Sequence, residues 1–513
     1  MNLWVTFLLV SLVGILLGEL FKYYVLRRNK RLCHIGDPSK TLPGPLDHYL
    51  TPWELLKHIV VWHFSLLLDI HGTWSWVVRR FGGICCVYIL HEPVVVVSDP
   101  ALVKQVMVRD WKIFGRPVEF FDHLTLMGPA VKGSLPRAEG DEWTTLHRIM
   151  YKGFKYKFIA QMIPTISTLV QGLIDLWTEK INEQKKKTKN GGTVVQCNST
   201  IGLLTLDVIG KVAFGFDFNA LQGSGLVTHA IRFMSEITNP FAYIPYWHLL
   251  PTPGNRSMIE AMRVLQGRAR AVLTERKELM RKAEEGDEEA AASIPADLLS
   301  VLLQKDEITG QRLDDHTITA NSIFFMVAGH ESTSTAMSWI LYLLASHPNE
   351  QEKARAEVDE VLGSLTEQPT LSDLLRLEYI ECVIKEGLRL YPPAPFNVRR
   401  ASEDTTLGDY HIPKDTFVFM PVREVHRCDA FEDPHEFRPE RFRNKPLPGA
   451  FLPFNIGVHN CIGQRFAMIE MRMVLSSLLR NFVFEPVEGF KPQLSIHFMQ
   501  PKHDVQVAIR KRT

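Results

Sequence analysis

The sequence predicts a mainly α body with small β-sheets, preceded by one N-terminal transmembrane helix. Three observations carry this expectation. Residues 1–18 hold no charged side chain and are followed by a basic cluster. From about Ala101 to Tyr391 the apolar residues recur mostly at helical spacing. Short β-rich runs bounded by turn residues appear between Gly82 and Pro100, and the chain becomes strand-like again after Pro392.

The first 18 residues, as a helix, span about 27 Å at roughly 1.5 Å per residue, near the hydrocarbon thickness of a bilayer. No basic segment precedes the apolar run and no A-x-A site follows it, which argues against a cleaved signal peptide. Arg27, Arg28, Lys30 and Arg31 follow the run, so the positive-inside rule puts the rest of the chain in the cytoplasm. Residues 1–21 are therefore read as a signal anchor. Residues 22–45 are a basic stop and a hinge, where Pro43 and Pro45 forbid a continuous helix. Residues 46–513 follow as one large body without a clear linker.

Within that body, residues 53–78 read as an amphipathic helix, lying on the membrane surface or packed on the body. Residues 82–100 read as a hairpin turning at His91–Pro93. The basic run 183–192 and the acidic run 283–293 read as solvated loops. Residues 314–346 lack proline and are apolar nearly throughout, the pattern of a long helix through a core. A final helix is expected after Cys461.

Composition bounds the function. The chain has 513 residues, 46% apolar and 22% charged, enough for a large core. A net charge of +1 provides no global field for nucleic acid. Seven cysteines at irregular spacing, with no CxxC pair, argue against a zinc ribbon, a thioredoxin-type motif and a disulfide framework.

Three motifs bear on chemistry. In KEGLRL, Glu386 and Arg389 share a helix face. Apolar flanks argue that this face is partly buried, and a buried pair needs further partners. Arg441 in FRPERF is the candidate partner; an exposed pair and an exposed loop arginine are the alternatives. In FLPFNIGVHNCIG, Phe454, Gly457, Cys461 and Gly463 fall in the pattern F-x-x-G-x-(R)-x-C-x-G. Glycines beside a cysteine let amide N–H groups point at the sulfur and let a flat cofactor approach the backbone. Cys461 is then a metal ligand, a packing residue or half of a disulfide.

EGLR, PERF and FNIGVHNCIG, in this order and at these separations, resemble the cytochrome P450 superfamily, from about Pro43 to the end of the chain. The anchor and the LPGP hinge resemble those of its microsomal members. The resemblance implies a mostly α triangular prism with small sheets, haem b (iron protoporphyrin IX) as cofactor, and Cys461 as the axial thiolate of its iron. AGHEST, residues 328–333, resembles the family's A-G-x-(D/E)-T-T. By that likeness Gly329 leaves space over the iron, and Glu331 and Ser332 steer protons to bound dioxygen. Serine lacks the methyl that stiffens a threonine rotamer, which implies a looser hydroxyl and more uncoupled oxygen reduction. Alternatively, Ser332 bonds the Ala328 carbonyl one turn back.

Two departures concern the haem carboxylates. His459 stands where the family has arginine, and the family's W-x-x-x-R falls on Trp143 and His147, with Arg148 adjacent. Arg399 matches a third propionate position. The expectation is a cradle of His147, His459 and Arg399, charge-assisted only while the histidines are protonated. The alternative is that Arg148 and neutral histidine hydrogen bonds suffice.

The resemblance further implies a monooxygenase that inserts one oxygen atom from dioxygen into a lipophilic substrate such as a fatty acid or sterol. The chain after Cys461 shows no flavin or iron–sulfur region. Electrons are therefore expected from a separate membrane-bound NADPH flavoprotein reductase, with cytochrome b5 as a further donor, at the endoplasmic reticulum membrane. Arg148, Lys152, Lys155 and Arg465 are the candidate dock. By family position Phe325, Ala328, Gly329, Ala394, Phe396, Val398 and Phe498 face the substrate. Retention of Glu331 and Ser332 argues against a reductase-independent isomerase or dehydratase of lipid peroxides; a non-enzymatic haem binder is the third reading.

Overall fold

The computed structural model describes residues 69–89, 92–118, 131–187, 193–223, 252–363, 368–495 and 500–512. The expected anchor and hinge, and residues 53–68 of the expected amphipathic helix, lie outside them. In chain order the longer helices are α1 (Ile70–Phe81), α2 (Gly140–Tyr151), α3 (Tyr156–Lys187), α4 (Cys197–Phe214), α5 (Pro253–Glu284), α6 (Asp315–Ser346), α7 (Pro348–Leu362), α8 (Glu378–Leu390) and α9 (Gln464–Asn481). The strands are β1 (Ile84–Ile89), β2 (Glu92–Val97), β3 (Phe114–Gly115), β4 (Thr193–Gln196), β5 (Phe396–Ala401), β6 (Thr405–Leu407), β7 (Tyr410–Ile412), β8 (Phe417–Pro421), β9 (Phe482–Pro486) and β10 (Gln506–Lys511). The architecture is mostly helical with small sheets, and it divides into two compact units.

The first unit takes in Met1–Pro117, Ala394–Glu436 and Pro446–Asn460. Its sheet runs β1-β2-β8-β5-β3, with β2 and β8 parallel and the other pairs antiparallel. The β-branched run Val94–Val97 is buried and supplies the centre of this sheet. Pro93 pairs with Tyr88 inside the hairpin ladder, so it belongs to the strand and not to the expected turn. It lies just beyond the Val94–Val96 stretch that pairs with β8, where a missing N–H is tolerated. Trp74 of α1 stacks on Phe419 at 4.2 Å, and Phe396 stacks on the same ring at 5.4 Å.

The second unit takes in Val118–Pro393, Phe437–Lys445 and Cys461–Thr513. Its axis is α6. The Asp314 carboxylate caps this helix by accepting the Thr317 N–H at 2.8 Å, and Pro348 opens the next helix just beyond its end. α4 packs on α6 through two glycines. A Cβ on Gly329 would meet Ile209 Cδ1 at 2.9 Å, and one on Gly202 would meet His330 Nε2 at 3.2 Å. α4 stops at Gly215, whose φ of 63° is left-handed. There Arg276 of α5 enters, almost fully buried. It donates to Asp297 at 2.7 and 2.8 Å and to Ser300 Oγ at 2.7 Å.

Both charged runs differ from the expected loops. α3 continues through Lys187, because lysine and glutamine are good helix formers; residues 188–192 lie outside the described chain. The acidic run is the end of α5, a turn at Gly286 (φ 97°), and a short helix Glu288–Ser293 capped by Asp287. By length and composition Tyr156–Gln184 and α4 are apolar enough to cross a membrane; α4 is largely buried against α6 and α3. A second sheet, β4-β10-β9, is antiparallel. At its β9 end the buried side chain of Gln351, on α7, donates to the Phe484 carbonyl at 2.9 Å and accepts the Phe484 N–H at 3.0 Å.

Candidate active site

Among the described cysteines none forms a disulfide, and Cys461 is the exposed one. The residue is exposed, yet protein atoms crowd its thiol, and this desolvation pushes the thiol pKa up. The backbone N–H groups of Gly463 and Gln464 bond to the sulfur and pull the pKa the other way. Gln464 is the first residue of α9, so the positive end of that helix faces the sulfur. In the protein alone desolvation wins; a cation bound to the sulfur would tip the balance to the thiolate. Among the described residues no group of three or more His, Cys, Asp or Glu is placed to hold a metal ion. A single soft sulfur with N–H donors on an exposed residue fits a metal whose other ligands come from a flat organic ring. Gly463 has an ordinary φ of −83°, and a Cβ there would stand 3.9 Å from both the sulfur and the Phe154 ring. This glycine therefore leaves one methyl's worth of room beside the sulfur. Phe154 in turn packs on Phe325 of α6, with ring centroids 5.7 Å apart.

α6 is mostly buried on either side of one stretch, where Ala328 to Glu331 are half-buried and Ser332 is exposed. The Ser332 Oγ donates to the Ala328 carbonyl at 2.8 Å. Glu331 is desolvated, which pushes its carboxyl up to about 7; a hydrogen bond from Gln500 opposes the shift. His330, on the same turn, has its pKa dropped to about 4 by burial. At Gly329 a side chain would point at Ile209 of α4, so helix packing is a second reason for glycine there, beside the one expected from the resemblance.

The carboxylate-binding candidates fall in different surroundings. On α2 the His147 ring stacks on Trp143 at 4.7 Å and on Tyr151 at 5.7 Å. Burial lowers its pKa, which works against the charge-assisted grip expected of it, whereas a carboxylate beside the ring would raise the pKa again. Arg148, the alternative, is already engaged. It pairs with Asp306 through two hydrogen bonds, at 2.8 and 3.2 Å, and holds that carboxyl down at about 2. In the first unit Arg399 is buried on β5 and donates to the Val398 carbonyl at 2.7 Å. His459 lies edge-on to Trp111 at 5.7 Å. Phe454 is partly buried, and Gly457 has a φ of 81° with the Met107 carbonyl where a Cβ would be, at 2.2 Å. No side chain fits there.

Glu386 and Arg389 of α8 are completely buried. Glu386 Oε2 accepts from Arg389 Nε at 2.7 Å, and Oε1 accepts from Arg389 Nη2 at 2.8 Å, the Arg438 N–H at 2.9 Å and Arg441 Nε at 3.0 Å. Of the pocket candidates, Phe325 and Val398 are buried, Phe396 is engaged in ring stacking within its own unit, and Ala394 is exposed. Phe498 lies outside the described residues. Gln500 and Asp306 were missed in the sequence. Their partners stand 169 and 158 positions away, and nothing local signals such pairs.

A family profile for Cytochrome P450 matches residues 52–509. The chain is 31% identical over 397 residues to Cytochrome P450 4V2 of Homo sapiens, covering 72% of this chain and 75% of that protein. It is 30% identical over 453 residues to Cytochrome P450 4d2 of Drosophila melanogaster, covering 84% and 85%. It is 29% identical over 499 residues to Secologanin synthase 2 of Catharanthus roseus, covering 93% and 88%. The chain belongs to the cytochrome P450 family. It is accordingly a monooxygenase, an oxidoreductase that incorporates oxygen from dioxygen, and its family uses haem held by a cysteine thiolate.

Proposed function

We propose that Cys461 is the axial ligand of haem b and that the enzyme inserts one oxygen atom into a lipophilic substrate such as a fatty acid or sterol. The observation that supports this most is Cys461, an exposed residue at the start of α9 whose sulfur receives two backbone N–H groups. Haem held by a thiolate supplies scission of the O–O bond of dioxygen.

The chain's own residues supply the rest. The Gly463 and Gln464 amides hold negative charge on the sulfur. By the family resemblance, Arg399 and His459 in the first unit and His147, backed by Trp143, in the second are the residues that would hold the haem carboxylates, and Phe454, Gly457 and Gly463 would shape the ligand loop. Glu331 titrates near neutrality and is suited to carry a proton to the reacting oxygen. Ser332 relays it once its hydroxyl turns from the Ala328 carbonyl. By family position Phe325 and Ala328 of α6 would face the apolar substrate, and the anchor expected in residues 1–21 would deliver the enzyme to the endoplasmic reticulum membrane where such substrates partition.

Electrons come from a separate NADPH flavoprotein reductase, with cytochrome b5 as a second donor. Arg148 and Lys152 are ion-paired with Asp306 and Glu307, so the dock draws chiefly on Lys155 and Arg465. Arg465 lies over the Tyr151 and Tyr156 rings. The test is the spectrum of the reduced, carbon-monoxide-bound protein. Wild type shows the red-shifted thiolate band and Cys461→Ser does not; persistence of the band in the variant overturns the assignment. A lipid screen for spin-state shifts, then NADPH consumption with and without reductase, tests the substrate class and the electron source.

A further inference from the structure

We infer that Gln500 is the positioning residue that holds the Glu331 carboxyl for proton delivery. Its side-chain Nε2 donates to Glu331 Oε1. Gln500 is itself fixed from behind. The Ser495 N–H donates to the Gln500 carbonyl at 2.8 Å, the Lys502 N–H donates to the Gln493 carbonyl at 2.7 Å, and Leu494 bridges Pro501. The amide therefore reaches α6 from a short backbone ladder, so the contact is set by main-chain pairing.

The chemistry of the partner matters. An arginine or lysine would lock the carboxyl in its ionised form, and an acidic partner would oppose ionisation. A neutral amide fixes the direction of the carboxyl and favours the ionised form only mildly, leaving both protonation states within reach near neutrality. The surroundings are consistent with this division of labour. From α4, Gly202 presents no side chain and Thr205 donates to the His330 carbonyl at 3.1 Å. On α6, His330 turns its Nε2 toward Gly202 and is neutral through burial, and Ser332 is engaged with Ala328. Among the described residues, burial and Gln500 alone set the proton affinity of Glu331.

The inference rests on the reading of Glu331 as proton donor, and the experiment separates the two. Haem-loaded wild type, Gln500→Met, Glu331→Gln and the double variant are compared, with Gln500→Asn, too short to reach, as a second removal. The infrared band of the protonated Glu331 carboxyl is identified by its loss in Glu331→Gln and titrated in the ferric protein. Peroxide released per electron and the substrate KM are measured with reductase. The expected result is a titration midpoint at higher pH in both Gln500 variants, a several-fold rise in peroxide per electron with KM unchanged, and no added effect of Gln500→Met in the Glu331→Gln background. An unmoved midpoint, or a Gln500→Met effect that persists in that background, overturns the inference while leaving the reading of Glu331 intact. Normal coupling in Glu331→Gln itself overturns both.

Discussion

Replacing Glu386 by Leu removes one carboxylate from the most enclosed charge cluster described in this protein. Its four accepted hydrogen bonds, from 2.7 to 3.0 Å, come from Arg389, Arg441 and the Arg438 backbone. Neither Glu386 nor Arg389 exposes any side-chain surface, so the guanidinium left behind loses its counter-charge with no bulk water to replace it. Breaking a buried pair in this way costs about 3–5 kcal/mol. At about 2 °C per kcal/mol for a large body, the melting midpoint falls by about 6–10 °C. Arg441, with 12% of its side chain exposed, is partly solvated, and Arg441→Met costs less, about 1.5–3 kcal/mol. Circular-dichroism melts of the holoenzyme, with the yield of the thiolate carbon-monoxide band as a second readout, check the ranking. Equal losses for Arg389→Met and Arg441→Met, or a Glu386→Leu midpoint within about 2 °C of wild type, would refute the reasoning.

Other outcomes follow from the same geometry. Glu470 is buried on α9 with no hydrogen-bond partner for Oε1, and its pKa is pushed up to about 8 from an ordinary 4.5. The folded state therefore favours the neutral acid, and stability falls as pH rises from about 4.5 to about 8, by up to about 5 kcal/mol; urea melts of Glu470→Gln should lack this slope, and an unchanged slope rejects the assignment. Ser332→Thr stiffens the hydroxyl and lowers peroxide leakage per electron; leakage that is unchanged or raised sinks that view. Burial lowers the His147 pKa and a gripped haem carboxylate would raise it, so any charge it lends is lost as pH rises through the histidine range. Haem loss from wild type should quicken there as pH rises, and His147→Arg should slow it at neutral pH. Gly329→Ala forces a methyl onto Ile209 and costs about 1–3 kcal/mol, relieved by Ile209→Ala; a stable single variant contradicts the packing role.

The features legible in the sequence were those written in local patterns. α6 shows as an apolar run without proline, and the Cys461 loop shows as glycines around one thiol. The hairpin of β1 and β2 shows as two β-rich runs, though the turn expected at His91–Pro93 runs into β2. A two-residue strand such as β3 has no period to read. The packing reason for Gly329 was hidden because Ile209, on another helix, supplies the steric demand. Arg148 passed for a free cation because Asp306 reaches it only through the fold. Glu331 and Ser332 could be picked out by resemblance, whereas the amide that holds Glu331 carries no motif.

The last strand of the β4-β10-β9 sheet has a further consequence for how the molecule behaves in company. A bare strand margin recruits other chains, because its main-chain donors and acceptors are unsatisfied. At Phe484 both groups are already taken by one amide, that of Gln351, which imitates a neighbouring strand one residue long. A single side chain thus stops up this margin, and stacking into fibres by strand addition is blocked at that point even in crowded solution.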